Sequence, residues 1–194
     1  MKIFILVVLA SVVLYAAAFA IGAARWRART RELRARLDSA RIRAPRQTVD
    51  FNELEELPAP VRRYFRTVLE DEQPIVTGVA VRHDGTFNMS ETAEQWKPFT
   101  SEQWVVPRRP GFLWNGRIAV LPGFPARVHD AYVAGEGTLH ATLLGLVSVA
   151  NLRGGETLAE GELMRYLAEA TWYPTALLPG QGVADARGGR GADR

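Results

Sequence analysis

The sequence predicts an α+β fold: an N-terminal transmembrane helix, then a curved antiparallel β-sheet with flanking helices. Three observations predict it. Ile3–Ala24 is uncharged and dominated by Val, Leu, Ile, Ala and Phe. Between Ile75 and Ala150 apolar residues recur with period two, the period of a strand. On both sides of that stretch they recur at helical spacing. Strands in one series with helices at its ends belong to the α+β class.

The apolar run comes first. Its length gives a helix of roughly 33 Å, enough for a hydrocarbon core of about 30 Å. Trp26 follows where an interfacial aromatic sits. A cleavable signal peptide would use Lys2, the apolar core and Ala18-Phe19-Ala20 as its cleavage site. The run is long for such a core, and the arginines behind it resist translocation, so the reading is an anchor. A buried helix of a soluble protein is the remaining alternative. Eight arginines follow between Arg25 and Arg43, against Lys2 alone before the span. The positive-inside rule then puts the folded part on the cytoplasmic side of a single-pass membrane protein.

Residues 25–45 read as a basic juxtamembrane helix and linker, residues 46–180 as the α+β domain, and 181–194 as a disordered tail. In the basic helix Leu33 and Leu37 sit four apart among arginines. Arg25, Arg27, Arg29 and Arg31 are the membrane-surface candidates, each worth about 1 kcal/mol near anionic headgroups. A topology signal on a solvated face is the plainer reading of the same residues. The acidic stretch Asp50–Glu56 is placed to reach back to these arginines.

Pro58 and Pro60 open a helix whose stripe is Val61, Tyr64, Phe65, Val68 and Leu69, expected to pack on the sheet. Ile75–Met89 reads as a strand with turn chemistry at Asp84-Gly85, and Phe99–Val106 as a second. In the third, Phe112, Trp114, Ile118 and Val120 share a face, and Gly116 marks a bulge or a close approach. The stretch from Ala126 to Val149 reads as one hairpin turning at Gly135-Glu136-Gly137. The last helix follows Gly154. Leu158, Leu163, Leu167 and Ala170 form its inner stripe, with Glu162, Arg165, Tyr166 and Glu169 as an outer ion-pair ladder. Pro174 ends it.

The residues that carry chemistry are few. There is no cysteine, which excludes disulfides and thiolate metal sites. Glu162 and Glu169 share a helix face, but Arg165 between them should hold both ionised. His129 and His140 would lie opposite each other only if the hairpin axis fell near position 134.5, just before the favoured turn. Asp130 alternates onto the other face of the strand, so no metal set forms. No phosphate loop, dinucleotide fingerprint or nucleophile elbow occurs. The net charge of +3 lies near the N-terminus, which gives no nucleic-acid stripe on the folded part. Trp104, Phe112, Trp114 and Trp172 are the ligand-binding candidates, an aromatic lining for an apolar molecule. Core packing competes for the same residues.

The segments "LPAPVRRYFRTVL", "WKPFTSEQWVVPRRPGFLWNGRI", "VHDAYVAGEGTLHATLLGLVSVA" and "GELMRYLAEATWYPTALLPGQGV" resemble a bacterial family of membrane-anchored proteins of unknown function, over Leu57–Val183. The resemblance supplies no activity. "PRRPGFLWNGRI" is also similar to a strand motif of lipoprotein-carrier (LolA-type) proteins, whose curved sheet shelters acyl chains. Family members continue with further strands. Here the chain ends in "ADARGGRGADR", without large apolar residues. The expectation is a sheet incomplete at the C-terminus, in a truncated or frame-shifted chain with an exposed edge. Three functions stand as expectations. The first is a membrane-anchored domain binding lipid or another apolar ligand. The second is a structural or assembly protein meeting a protein partner through its sheet. The third is a hydrolase-like enzyme using Glu162, Glu169, His129 or His140. Membrane lipid is the expected partner, and no cofactor or metal is expected.

Overall fold

The structure is a computed structural model that describes residues 1–43, 47–90 and 92–181. The predicted tail, apart from Gln181, lies outside the described residues, as does most of the predicted linker.

The predicted span and the predicted juxtamembrane helix are one continuous helix, α1 (Lys2–Ala40, 39 residues). It is long and apolar enough to cross a membrane. Its first half is largely exposed, Ile3, Phe4, Leu6 and Leu14 included, and meets the rest of the chain through Tyr15, which contacts Gly123 and Phe124. From Gly22 onward one face turns inward and buries Gly22, Ala23, Trp26, Leu33 and Leu37. These positions recur at three- and four-residue spacing, which keeps them on one helix face. Leu33 and Leu37 therefore belong to the core of the domain. They pack on Val106, Leu113, Ala131 and Val133.

The sheet has six antiparallel strands in sequential order. They are β1 (Val79–Asn88), β2 (Trp96–Val106), β3 (Gly111–Leu121), β4 (Phe124–Val133), β5 (Glu136–Leu143) and β6 (Val147–Arg153). β1 runs straight through Asp84-Gly85, which face Thr100 and Phe99 of β2, so no turn forms there. The β4–β5 turn is Ala134-Gly135, with φ of 55° and 90°. Positive φ at both central residues is the hairpin geometry that matches strand twist. This is one residue earlier than the predicted Gly-Glu-Gly turn. A second turn, Leu144-Gly145, with φ of 56° and 78°, makes β6 a third strand where one hairpin was expected.

Helices cover both faces, giving three layers. α1 lies across one face. On the other lies α3 (Glu156–Glu169), continued by short 3₁₀ turns at Ala170–Trp172 and Pro174–Leu177. Val105, Phe112, Trp114 and Tyr132 of the sheet meet Tyr166, Ala170, Tyr173 and Ala176 there. α2 (Ala59–Val68) departs from expectation by packing away from the sheet. Phe65, with Leu69 just beyond the helix, joins Val49, Leu54 and Leu178, while Val61 and Val68 are exposed. Glu55 pairs with Arg62 and Arg66, not with the arginines of α1.

Gly116 is a close-approach point, as predicted. A Cβ there would sit 2.1 Å from the Trp114 ring, which lies flat across it. Gly22 does the same for α1: its Cβ would fall 2.0 Å from the carbonyl oxygen of Leu144.

Candidate functional site

The face of the sheet under α3 holds an open cup of about 330 Å³. Phe87, Phe99, Trp114, Ile118, Val128, Leu139 and Trp172 supply its apolar wall. Strand alternation explains the set. Phe99 on β2, Trp114 and Ile118 on β3 and Val128 on β4 all point to the α3 side. Small-ligand clefts combine such a lining with a few convergent polar groups. Here those groups are Gln103, Asp130, Arg165 and Glu169, with His83 at the rim.

The polar groups form one connected cluster. Arg165 Nε donates to Glu169 Oε1 at 2.9 Å, and its Nη1 donates to Asp130 Oδ2. The guanidinium also lies 5.0 Å from the Phe112 ring centroid and 5.4 Å from that of Trp114. Gln103 Nε2 donates to Glu169 Oε2. This fixes the Gln103 amide and leaves its Oε1 buried without a hydrogen-bond partner. Beside the cluster, Glu162 is buried on the same helix face. Burial first, then a hydrogen bond and charge from Asp130, push its carboxyl up to about 8. At neutral pH Glu162 therefore carries its proton and donates it towards Asp130. The predicted outer ladder is an inner one. Arg165 does not hold Glu162 ionised, because burial and the neighbouring Asp130, which helix spacing alone does not reveal, outweigh its charge. Leu163 and Leu167 are only half-buried at the edge of this core, and Tyr166 is fully buried at its centre.

The four predicted aromatic residues separate. Trp114 and Trp172 line the cup, with Trp172 at its exposed lip 5.5 Å from the His83 ring. Phe112 is fully buried beneath Arg165. Trp104 is on the opposite face, 4.7 Å beneath the Arg34 guanidinium. Phe87, Phe99, Gln103 and Asp130 were missed as site residues. The signal that points to them is the parity shared with Trp114 once the register is known.

Two of the three histidines, His129 and His140, belong to the α1 seam. His129 and His140 face each other across β4 and β5, as the 134.5 axis requires. Trp26 of α1 stacks on His129 at 3.8 Å with planes 7° apart. Its Nε1 donates to Asn115 Oδ1 at 2.8 Å, and Thr30 Oγ1 lies 2.8 Å from His129 Nε2. Burial, then the charges of His140, Arg29 and Arg127, bring His129 down to about 3, so it is neutral. Among the described residues no group of three potential metal ligands occurs. Arg25, Arg27 and Arg31 are exposed on α1, while Arg29 is half-buried and paired with Glu32 at 2.7 Å.

No curated protein and no solved structure matches the chain. A family model does, over residues 55–184, a stretch that takes in α2, all six strands and α3. The chain belongs to DUF6920, a family of unknown function.

Proposed function

We propose that this protein is a single-pass membrane protein whose domain binds an apolar ligand in the cup under α3. The observation that carries this reading is the cup itself: an aromatic and aliphatic wall closed at one end by a fixed polar cluster. The cluster also selects. Asp130 and Glu169 disfavour an anionic head, and the free Gln103 Oε1 asks for a donor. The fitting ligand is an apolar chain ending in a hydroxyl or amine. Membrane anchoring rests on the exposed apolar half of α1. The arginine bias supports a domain on the cytoplasmic side.

Photolabelling of the full chain in vesicles tests this. A long-chain alcohol bearing a diazirine should crosslink to peptides containing Trp114 and Trp172. The matched carboxylate should label them about tenfold less, and Leu139→Trp, which fills the cup, should remove the label while labelling of α1 persists. Equal labelling by both probes, or labelling indifferent to Leu139→Trp, would overturn the reading.

A second reading has one observation in its favour. β6 is an open edge strand with Val147, Val149 and Leu152 exposed, a surface suited to a partner strand. A stoichiometric partner that is lost on Val149→Lys would support it.

A further inference from the structure

Two hairpin tips stand against the apolar half of α1. Tyr15, in the middle of the uncharged run, donates its hydroxyl to the carbonyl of Gly123 in the β3–β4 turn. Its ring packs 5.5 Å from Phe124. Seven residues on, Gly22 packs against Leu144 and Gly145 of the β5–β6 turn.

These contacts set a geometric condition. From Ile3 to Tyr15 α1 rises only about 18 Å, whereas a hydrocarbon core is about 30 Å thick. A bilayer that stopped short of the β3–β4 tip would enclose too little helix, and tilting shortens its reach further. If α1 crosses, the tips lie inside the membrane boundary.

The tips are built for that place. Leu121-Pro122-Gly123-Phe124-Pro125 and Leu143-Leu144-Gly145-Leu146-Val147 contain no polar side chain. Leu121 and Val147 are 60% and 62% exposed. Leu144 holds a left-handed φ of 56°, where Asn or Gly is the easier residue for a hairpin in water. The turns at the other end of the sheet carry Arg108 and Arg109, or lead into Glu136. The β1–β2 connection at the tips' own end carries Ser90, Thr92 and Glu94, so the apolar character is confined to the two tips beside α1. Backbone groups in hydrocarbon must be satisfied internally. Leu144 N donates to the Pro125 carbonyl at 3.0 Å, joining the two tips, and Leu146 N donates to that of Leu143 at 3.0 Å. Tyr15 satisfies Gly123. Below the tips the character reverses. Arg117 and Arg127 stand directly opposite one another on β3 and β4, an arrangement that repels unless an anion lies nearby. Arg27 of α1 is close enough for its charge, with that of Arg117, to act on Arg127.

We propose that the β3–β4 and β5–β6 tips are embedded in the bilayer beside α1, with Arg27, Arg117 and Arg127 level with the lipid phosphates. The proposal rests on the membrane-crossing reading of α1. The full chain has no cysteine, so single cysteines can be placed cleanly. Leu9→Cys on α1, Leu121→Cys and Val147→Cys at the tips, and Arg109→Cys at the far end would each carry an environment-sensitive fluorophore. The chain is reconstituted in phosphatidylcholine–phosphatidylglycerol vesicles with nitroxides on the acyl chains. The helix and tip labels should lose at least about half their emission, and the far label should keep it. Quenching at Leu9→Cys with none at the tips would overturn the proposal and leave the anchor standing. No quenching at Leu9→Cys would remove the anchor and the proposal together. Near-UV circular dichroism checks each fold, and Pro122→Cys replaces Leu121→Cys if that variant loses its signal.

Discussion

Glu162 binds a proton in the folded chain that the unfolded chain releases. Its pKa of about 8 exceeds the ordinary 4.5 because the site is dry and Asp130 stands against it. Stability contributed by this group therefore falls as pH rises from about 4.5 to about 8, and is level above that. Glu162→Gln keeps a donor towards Asp130 and removes the slope. In melts followed by near-UV circular dichroism, the variant should exceed the parent by about 5 °C above pH 8.5 and converge on it in acid. Parallel pH profiles would refute the assignment. His129 acts in the opposite direction. Its pKa, brought to about 3 from 6.5 mainly by burial, means that the unfolded chain takes up a proton first as pH falls. Its contribution to stability is lost between about 6.5 and about 3, where the seam under Trp26 weakens. The sequence showed that Glu162, Arg165 and Glu169 share a helix face. It did not show which way that face points, because Leu163 and Leu167 offer an equally plausible stripe.

α1 is two things along one axis: a largely exposed apolar rod up to Ile21, and a covering helix from Gly22 to Ala40. A domain cut at the predicted linker loses the second. A fragment of residues 46–194 would expose Val106, Leu113, Ala131 and Val133. It should aggregate and show no cooperative melt, whereas residues 21–194 should melt cooperatively. Gel filtration with near-UV circular dichroism distinguishes them, and equally cooperative melts would contradict the covering role. Within the longer chain, Leu37→Ala should cost about 2–5 kcal/mol, the usual range for a buried leucine. Leu33 and Leu37 were legible as a helical pair. Their partners were not, because those lie on strands more than sixty residues away. The β5–β6 turn escaped reading for a different reason: Leu144-Gly145 sits in an unbroken apolar run, without the polar residues that mark turns in water.

At the scale of the molecule, the cup is graded along the strands from apolar to polar. Phe87, Phe99 and Ile118 are on the side of the cup towards the β3–β4 tip, and Gln103 and Asp130 are further from it. If the tips are embedded as proposed, the apolar side of the cup would face the bilayer, and the proposed ligand would reach it from the membrane. The proposed cytoplasmic orientation, which the solvent-exposed arginines of α1 support, can be tested directly. Arg43→Cys should be shielded from a membrane-impermeant maleimide in intact cells and react after lysis. Reaction in intact cells would reverse the orientation.

By itself the sequence determined the class of the protein: one apolar span, a flank of arginines, a run of antiparallel strands and a closing helix. Each is a local pattern of period or charge, readable from neighbours in the chain. Only the tertiary structure decided what the patterns meet. Register placed His129 opposite His140 and Trp114 beside Asp130. Packing turned the arginine-bearing helix into a layer of the core, and the Glu162 face inward. These are long-range choices, made by which surfaces bury one another, and no single segment contains them.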